Sequence, residues 1–321
     1  MNEYKNLTVR DTAEILLTLK NPIILMHTRP DGDTVGSASA LIKILRRLGK
    51  EARYASADKI PERLAFLLEG EKIAESLEDG ELVAIDVASP SQLGAYKDLA
   101  ERVMLTIDHH RVNMPFSDNY TLPDASSAGE ALYTVLEELE AMGKIELDEK
   151  VAYPIYASIS SDTGGFIFSS ATAKTYRVAA RLIETGIDFA DINRKLFHSK
   201  SPSQIKAEGF ISSKLQTALD GKISYATLSK SDRDNLGIDS DCFETAIDIV
   251  RSVMNSEIAI FVRENDDGSV KASIRSTGFN VAEVAATFGG GGHIRAAGCA
   301  LPVSTAEDGA NLIISEITKR T

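Results

Sequence analysis

The chain has 321 residues, of which 43% are hydrophobic and 26% charged, as expected for two ordinary globular domains rather than a fibrous or disordered protein. Its 35 basic and 47 acidic residues give a net charge of −12, which argues against tight nonspecific binding of long duplex DNA or RNA but not against a small anionic ligand. Short apolar runs, no signal-peptide pattern and two isolated cysteines, Cys242 and Cys299, predict a cytoplasmic protein without membrane spans or a disulfide framework.

In the first half of the chain, short apolar runs typical of buried strands alternate with segments of helical apolar spacing. The predicted strands are 22–27, 51–57, 81–88 and 102–108. The predicted helices are 9–19, with a cap near Asp11, 35–50, ended by Gly49, and 92–101, 128–143, 148–161 and 171–188. Residues 28–33 are predicted to form a turn. This order predicts βαβ units and an α/β domain with a doubly wound, mostly parallel sheet.

The second half of the chain has a different pattern of polar and apolar residues. Residues 189–220 are polar and mostly helical in pattern, with a break at the Ser-Pro-Ser of 201–203. Beyond them, strands of alternating polarity are predicted at 221–229, 257–266, 267–277 and 298–303, and helices at 240–254 and 306–319. The sequence NDDG at 265–268 predicts a hairpin between the middle two strands. We therefore expect a domain at 1–190, a helical connector at 191–215 and a smaller α+β domain at 216–321, with the active site in the cleft between the domains.

Acidic and imidazole residues gather at the ends of the predicted strands. They are His27, Asp31, Asp33, Asp86, Asp108, His109 and His110. In an open α/β sheet, ligands bind at the carboxyl ends of the strands, so these side chains are expected to converge. Carboxylates gathered in one place repel one another unless cations lie between them, and this donor set suits manganese or magnesium, with cobalt or zinc as substitutes.

Each of these positions also has an ordinary structural interpretation. The Pro-Asp-Gly-Asp of 30–33 is typical of turns, with Gly32 permitting a tight bend. An aspartate such as Asp86 after an apolar run often caps a helix. The joint occurrence favours the metal site, because three of the five histidines lie among these positions and a fourth, His293, lies in a glycine-rich segment further along the chain. The fifth, His198, is interpreted as a surface or interdomain residue, with no assigned role.

The order of these motifs resembles that of the DHH phosphoesterase family. The resemblance rests on His27-x-x-x-Asp31-x-Asp33, Asp86, Asp108-His109-His110 and Asp162, followed by the glycine-rich segment Gly289 to Gly298, GGGGHIRAAG. With Ile274-Arg275-Ser276 before it, this segment resembles the family's associated C-terminal domain in the subfamily of small oligoribonucleases and adenosine 3′,5′-bisphosphate phosphatases.

The resemblance implies two divalent metal ions, Mn²⁺ first with Mg²⁺ or Co²⁺ as alternatives. It assigns His27, Asp31 and Asp86 to one ion, and Asp33, Asp86, His109 and Asp162 to the other, so that Asp86 bridges the two. It places His110 against the substrate phosphate. Asp108 is expected to orient a histidine or the turn, and with Asp86 and His110 it makes up the expected catalytic group.

Substrate contacts are expected from the glycine-rich segment, because successive glycines let backbone N–H groups approach an anion closely. The expected substrate-binding residues are His110, Arg275, Gly290, Gly291, Gly292, His293 and Arg295. Without the upstream motifs, the same glycines would be interpreted as a flexible loop.

The expected function is hydrolysis of short single-stranded RNA or adenosine 3′,5′-bisphosphate by a hydroxide held between two metal ions. The family resemblance also suggests assembly as a homodimer. Alternatives within the class are a cyclic-dinucleotide phosphodiesterase and a family-II pyrophosphatase, although the latter lacks the GGGGH segment. An exonuclease for long DNA would need a basic stripe or a further module that this sequence lacks. A non-catalytic nucleotide- or RNA-binding module is the alternative of another class, and the complete ligand set argues against it.

Overall fold

In the computed structural model, which describes residues 4–320, the chain folds as two units, Met1–Ser199 and Lys200–Thr321. The division falls inside the segment 191–215 that the sequence predicts as a connector. None of the helices in the described range has the length and hydropathy that a bilayer-spanning segment requires.

The first unit is built on five parallel strands in the order β2-β1-β3-β4-β5. These are β1 Pro22–Leu25, β2 Arg53–Ala55, β3 Glu81–Ile85, β4 Val103–Asp108 and β5 Asp118–Thr121. The helices are α1 Val9–Thr18, α2 Gly32–Arg47, α3 Ala128–Ala141, α4 Glu149–Asp162, α5 Ala173–Ile183 and α6 Phe189–Asn193. Two 3₁₀ segments, Glu62–Leu68 and Pro90–Arg102, and one π-helical turn, Arg194–His198, complete the unit.

Both faces of this sheet are buried, as near-continuous apolar strands require. One face contributes Ile24, Val83 and Leu105 to the core formed with α2, α3 and α4. The opposite face contributes Ile23 and Leu82 to a smaller core with the 3₁₀ segment Pro90–Arg102. The predicted doubly wound parallel sheet is therefore confirmed.

Several local features of this unit differ in detail from the predictions. Helix α1 is capped by Thr8, whose side chain accepts from the Asp11 amide, while Asp11 closes the capping box from inside the helix. The predicted helix 92–101 is a 3₁₀ segment broken at Gly94, where φ is +59°. Strand β5 was not predicted, because its sequence, DNYT, is polar and short.

The second unit is a mixed sheet in the order β10-β11-β9-β8-β7-β6. Its strands are β6 Gln216–Ala218, β7 Ile223–Leu228, β8 Ile258–Glu264, β9 Val270–Ser276, β10 Gly291–His293 and β11 Ala296–Leu301. Its helices are α7 Pro202–Ser213, α8 Lys230–Leu236, α9 Ala246–Arg251, α10 Val281–Thr287 and α11 Ala306–Thr318. One face packs on α10 and α11, and the other on α7 and α9.

The hairpin of β8 and β9 was predicted correctly, and its register runs from Ile258 opposite Ser276 to Glu264 opposite Val270. The predicted helix 240–254 is a 3₁₀ segment, Ser240–Phe243, followed by the short α9. Helices α8 and α10 were not predicted. Part of the glycine run is an edge strand, β10, rather than a loop, because Gly290 and Gly292 lie so close to β11 that no Cβ would fit.

Helices α2 and α4 approach each other closely at a glycine. A Cβ on Gly36 would lie 2.8 Å from the Pro154 carbonyl oxygen and 2.9 Å from the Ser158 amide nitrogen. Both atoms belong to backbone, which cannot rotate away. The position of α4 along α2 therefore depends on a small residue here.

Replacing Gly36 by alanine should destabilise the protein by about 1–3 kcal/mol, because the added methyl group forces the two helices apart. The matched control is Gly209→Ala in α7, where a Cβ meets nothing within 4 Å and the higher helix propensity of alanine should stabilise by about 0.5–1 kcal/mol. Denaturant unfolding of both variants measures the difference. A Gly36→Ala protein as stable as the wild type would contradict the close packing.

Candidate metal centre

Three neighbouring strands deliver the central side chains of the site. His27 lies two residues beyond β1, Asp86 directly follows β3, and Asp108 ends β4 just before His109 and His110. Because β3 lies between β1 and β4, the histidines reach Asp86 from both sides. The sequence predicted this convergence at the carboxyl edge of the sheet.

Two aspartates come from the start of α2. Asp31 is the N-cap residue, and its Oδ1 accepts from the amides of Asp33 and Thr34 at 3.0 and 3.1 Å. Asp33 lies in the first turn, so the predicted turn 28–33 ends earlier than expected. Gly32 does not have the positive φ of a tight turn; a Cβ there would lie 2.2 Å from Ser161 Oγ and 2.7 Å from Ser161 Cβ. Its role is to admit α4.

The first candidate cation group is His27, Asp31 and Asp86. His27 Nε2 lies 3.6 Å from Asp31 Oδ1 and 3.4 Å from Asp86 Oδ2. The other ring nitrogen, Nδ1, is 2.8 Å from the carbonyl oxygen of Thr28, which leaves Nε2 for a cation. Thr28 is itself held by a 2.7 Å hydrogen bond from its amide to the Gln92 carbonyl.

The second candidate group is Asp33, His109 and Asp162, the last residue of α4. His109 Nε2 lies 3.5 Å from Asp33 Oδ2 and 3.8 Å from Asp162 Oδ2. It is also 3.6 Å from Asp86 Oδ1, whereas the other oxygen of Asp86 faces His27. The carboxylate of Asp86 thus faces both groups at once.

His110 and Asp108 form a pair beside the two groups. Asp108 Oδ1 accepts from His110 Nδ1 at 2.7 Å and from the amide of His109 at 2.8 Å. His110 Nδ1 is also 3.6 Å from Asp86 Oδ1, and Asp86, His109 and His110 form a third possible metal-binding combination. Asp108 therefore orients the ring of His110 and the turn after β4.

The burial and electrostatics of Asp86 fit a bound cation. Its Oδ1 is buried without a hydrogen-bond donor, although a buried carboxylate oxygen normally has one. Burial, followed by the nearby charge of Asp33, raises the pKa of Asp86 well above its ordinary value. Burial, with Asp33 and Asp31 adding to it, does the same for the pKa of Asp162. A divalent cation would supply both the missing partner and the missing positive charge.

Backbone conformation also marks Asp86. Its φ is +59°, in the left-handed region that costs a non-glycine residue about 1–3 kcal/mol. The surrounding sheet holds this conformation, since the amide of Asp86 donates to the carbonyl of Ile107 at 2.9 Å. Such local strain clusters at functional sites.

Asp33 is positioned by residues that the sequence did not single out. Ser158 Oγ donates to Asp33 Oδ1 at 2.5 Å, and the first amides of α3, from Ala128 and Gly129, donate to its carboxylate at 2.8 and 3.3 Å. Ser158 lies in the sequence SISSD, whose small residues give no sign of this role, and in the structure it packs against Gly36 and Gly129.

The predicted substrate-binding residues of the second unit lie together within that unit. Across β9, β11 and β10, the register aligns Arg275 with Ala296 and Ala296 with His293. Arg295 lies in the turn between β10 and β11, and its carbonyl accepts from the Ser276 amide at 3.0 Å. The segment from Gly291 to Arg295 is exposed, whereas Arg275 is partly buried. His198, at the end of the π-helical turn, is exposed.

The chain is similar to known proteins along most of its length. Residues 21–159 match the DHH family, N-terminal domain, and residues 220–319 match the DHHA1 domain. A bifunctional oligoribonuclease and PAP phosphatase NrnA of Thermus thermophilus is 33% identical over 91% of this chain and 88% of its own. The protein of the same name from Bacillus subtilis is 27% identical over 89% of this chain and 91% of its own.

Solved structures share the fold. An exopolyphosphatase-related protein from Bacteroides fragilis superposes with a TM-score of 0.88 at 23% identity, covering 97% of this chain and 96% of its own. RecJ of Thermus thermophilus, solved in complex with Mn²⁺, superposes with a TM-score of 0.55 at 15% identity, covering 97% of this chain and 55% of its own. At these identities the likeness concerns the fold alone.

Binding of Mn²⁺ should release protons. Burial lowers the pKa of His27, but hydrogen bonds and charge from Asp31 and Asp86 outweigh it and raise that pKa to about 11. Because a cation needs an unprotonated ring nitrogen and charged carboxylates, roughly one or two protons per chain should leave near neutral pH. Affinity for Mn²⁺ should therefore weaken as the pH falls.

Titration calorimetry in buffers of different ionisation enthalpy measures this release as the slope of the binding enthalpy against the buffer enthalpy. His198→Gln is the matched control, since it removes an exposed histidine outside the candidate groups and should leave the slope unchanged. A slope of zero for the wild-type protein would contradict the expectation that Mn²⁺ displaces protons from these side chains.

Proposed function

The chain belongs to the DHH phosphoesterase family, and from this premise we propose that it hydrolyses short oligoribonucleotides to mononucleotides and adenosine 3′,5′-bisphosphate to AMP. The names of two relatives that align along most of both chains support these substrates. The observation that carries the proposal is the carboxylate of Asp86, which faces two separate cation-binding groups.

Two divalent cations are part of the proposal. His27, Asp31 and Asp86 would hold one, and Asp33, Asp86, His109 and Asp162 the other. Carboxylate and imidazole donors without thiolates favour Mn²⁺, with Mg²⁺ or Co²⁺ as alternatives. Bound there, the cations would supply Lewis acidity and lower the pKa of water at the site.

The chain's own contribution to the chemistry is to hold the side chains of His110 and Asp33 in fixed orientations. The hydrogen bond that His110 Nδ1 donates to Asp108 is the main cause of the raised pKa of His110, which keeps that ring protonated to higher pH. With Nδ1 held by Asp108, His110 Nε2 is left to donate to a non-bridging phosphate oxygen, where negative charge develops during the reaction. Ser158 and the first amides of α3 hold Asp33 in place.

Recognition of the substrate is assigned to the second unit. Arg275 and His293, which the strand register aligns on either side of Ala296, would take part together with the neighbouring Arg295. The backbone amides of the glycine-rich segment would add further contacts, from Gly290, Gly291 and Gly292. The guanidinium groups suit phosphate oxygens, and the exposed imidazole suits a phosphate or a base edge. A cytoplasmic location and assembly as a homodimer also stay predictions.

A panel of substrates tests the function directly. With Mn²⁺, the protein should release mononucleotide from pApA and pGpG and phosphate from adenosine 3′,5′-bisphosphate. Replacing Asp86 by alanine should lower turnover by at least roughly 10³-fold, because both cation groups lose a ligand. The fold should survive, since the change removes a buried carboxylate whose Oδ1 has no hydrogen-bond donor.

Other outcomes would identify the alternatives. Preferential cleavage of cyclic dinucleotides or pyrophosphate would replace the proposed substrates, and binding of nucleotides without any turnover would make the protein a binding module. Retained turnover in the folded Asp86→Ala protein would contradict the shared role of Asp86.

The pH profile tests the pairing of Asp108 with His110. If protonated His110 contacts the phosphate, turnover falls as the pH rises through the pKa of its ring. In Asp108→Asn that pKa loses its main support, so the alkaline loss of turnover should move to lower pH. His110→Gln should lower turnover by about 10²–10³-fold and abolish this limb. An alkaline limb unmoved by Asp108→Asn would contradict the pairing.

A further inference from the structure

The second unit contains a small cavity away from the glycine-rich segment. It has a volume of about 80 Å³ and is lined by Leu228, Arg233, Ser240, Phe243, Arg263, Asn265 and Asp266. On this measure of volume one water molecule needs about 10–15 Å³, so the cavity has room for a small polyatomic ion.

The cavity lies where a ligand site is expected from the topology. Strands β7 and β8 pair in parallel, with Leu228 opposite Arg263, whereas the other strand pairs of this sheet are antiparallel. Leu228 ends β7, and Arg263 is the last residue but one of β8. The cavity therefore opens beyond the carboxyl ends of the two parallel strands, the edge at which open sheets bind ligands.

Arg233, from α8, is an unusual residue for such a wall. It is only 7% exposed, and its Nε is buried without a hydrogen-bond acceptor among the described residues. Its Nη2 donates to Asp266 Oδ1 at 2.8 Å, but that carboxylate is 75% exposed to solvent. Burying a guanidinium costs several kcal/mol unless its donors are matched, and here only one nitrogen is.

Arg263 is a second arginine in the lining of the same cavity. It continues the row of Ala259 and Phe261 on the α9 face of the sheet, and within residues 4–320 its side chain has no carboxylate in ion-pair range. Two positive charges thus face one exposed negative charge, in a chain whose net charge is −12. The lining thus carries more positive charge than its single carboxylate offsets.

We propose that this cavity binds a small oxyanion of the phosphate class, held by the guanidinium groups of Arg233 and Arg263. Planar guanidinium groups match the geometry of phosphate oxygens, and a tetrahedral oxyanion is of the size that the cavity admits. Asn265 and Ser240 line the wall as further polar groups, although the Asn265 amide already donates to Ser269 at 2.8 Å and the Ser240 hydroxyl lies 3.4 Å from Asp241. The residues that line the cavity all belong to the second unit, so the proposal does not depend on the cation groups of the first unit.

Calorimetric titration with inorganic phosphate at constant ionic strength tests this site in the full chain. EDTA is present throughout, so that phosphate binding through metal ions does not contribute. The wild-type protein should bind phosphate, and Arg263→Gln should weaken binding by at least about tenfold, because one charged donor is lost. Arg177→Gln, an exposed arginine on α5, is the matched control and should bind phosphate like the wild type.

Asp266→Asn gives a result of opposite sign. Removing the Asp266 carboxylate frees Arg233 from its ion pair and removes a negative charge that repels the anion. Phosphate should therefore bind more tightly, by roughly two- to fivefold. No binding by the wild-type protein at tens of millimolar phosphate would overturn the proposal. So would binding that Arg263→Gln leaves intact and Arg295→Gln abolishes, since the phosphate would then occupy the glycine-rich segment.

Discussion

Mutual repulsion among buried carboxylates is the constraint on which the rest of the first unit depends. Asp33 and Asp86 are almost completely buried. The charge of Asp31 adds to the raised pKa of Asp86, and Asp162 faces the same nitrogen of His109 as Asp33 does. Such a group is unfavourable in a bare protein and favourable around divalent cations. A divalent cation bound among these carboxylates would relieve this repulsion.

Packing between helices keeps these carboxylates together. Helix α4 carries both Ser158, which holds Asp33, and Asp162, which faces His109. Its approach to α2 is possible because Gly32 and Gly36 have no side chain. The glycine in the DGD sequence thus permits the close packing of the two helices, and it contributes to the candidate metal centre only through that packing. Asp86, in contrast, is held by the sheet, with imidazoles arriving from the strands on either side.

Much of this organisation could be predicted from the sequence, for identifiable reasons. Apolar runs predicted β1, β3 and β4, and the edge rule for parallel strands predicted that His27, Asp86 and His109 would meet. Family resemblance added Asp162, which no local pattern marks. Ser158, the left-handed Asp86 and strand β10 escaped prediction, because each depends on contacts between segments distant in sequence. The cavity proposed to bind an oxyanion escaped prediction for the same reason, because Arg233 and Arg263 come together only when the second unit folds.

Anomalous diffraction from crystals grown with saturating Mn²⁺ is the most direct test of the central claim, that Asp86 lies between two cations. The account predicts two anomalous peaks per chain, one beside His27 and Asp31 and the other beside His109 and Asp162, with a different oxygen of Asp86 on each. A single peak, or two peaks of which neither is bound by Asp86, would contradict it.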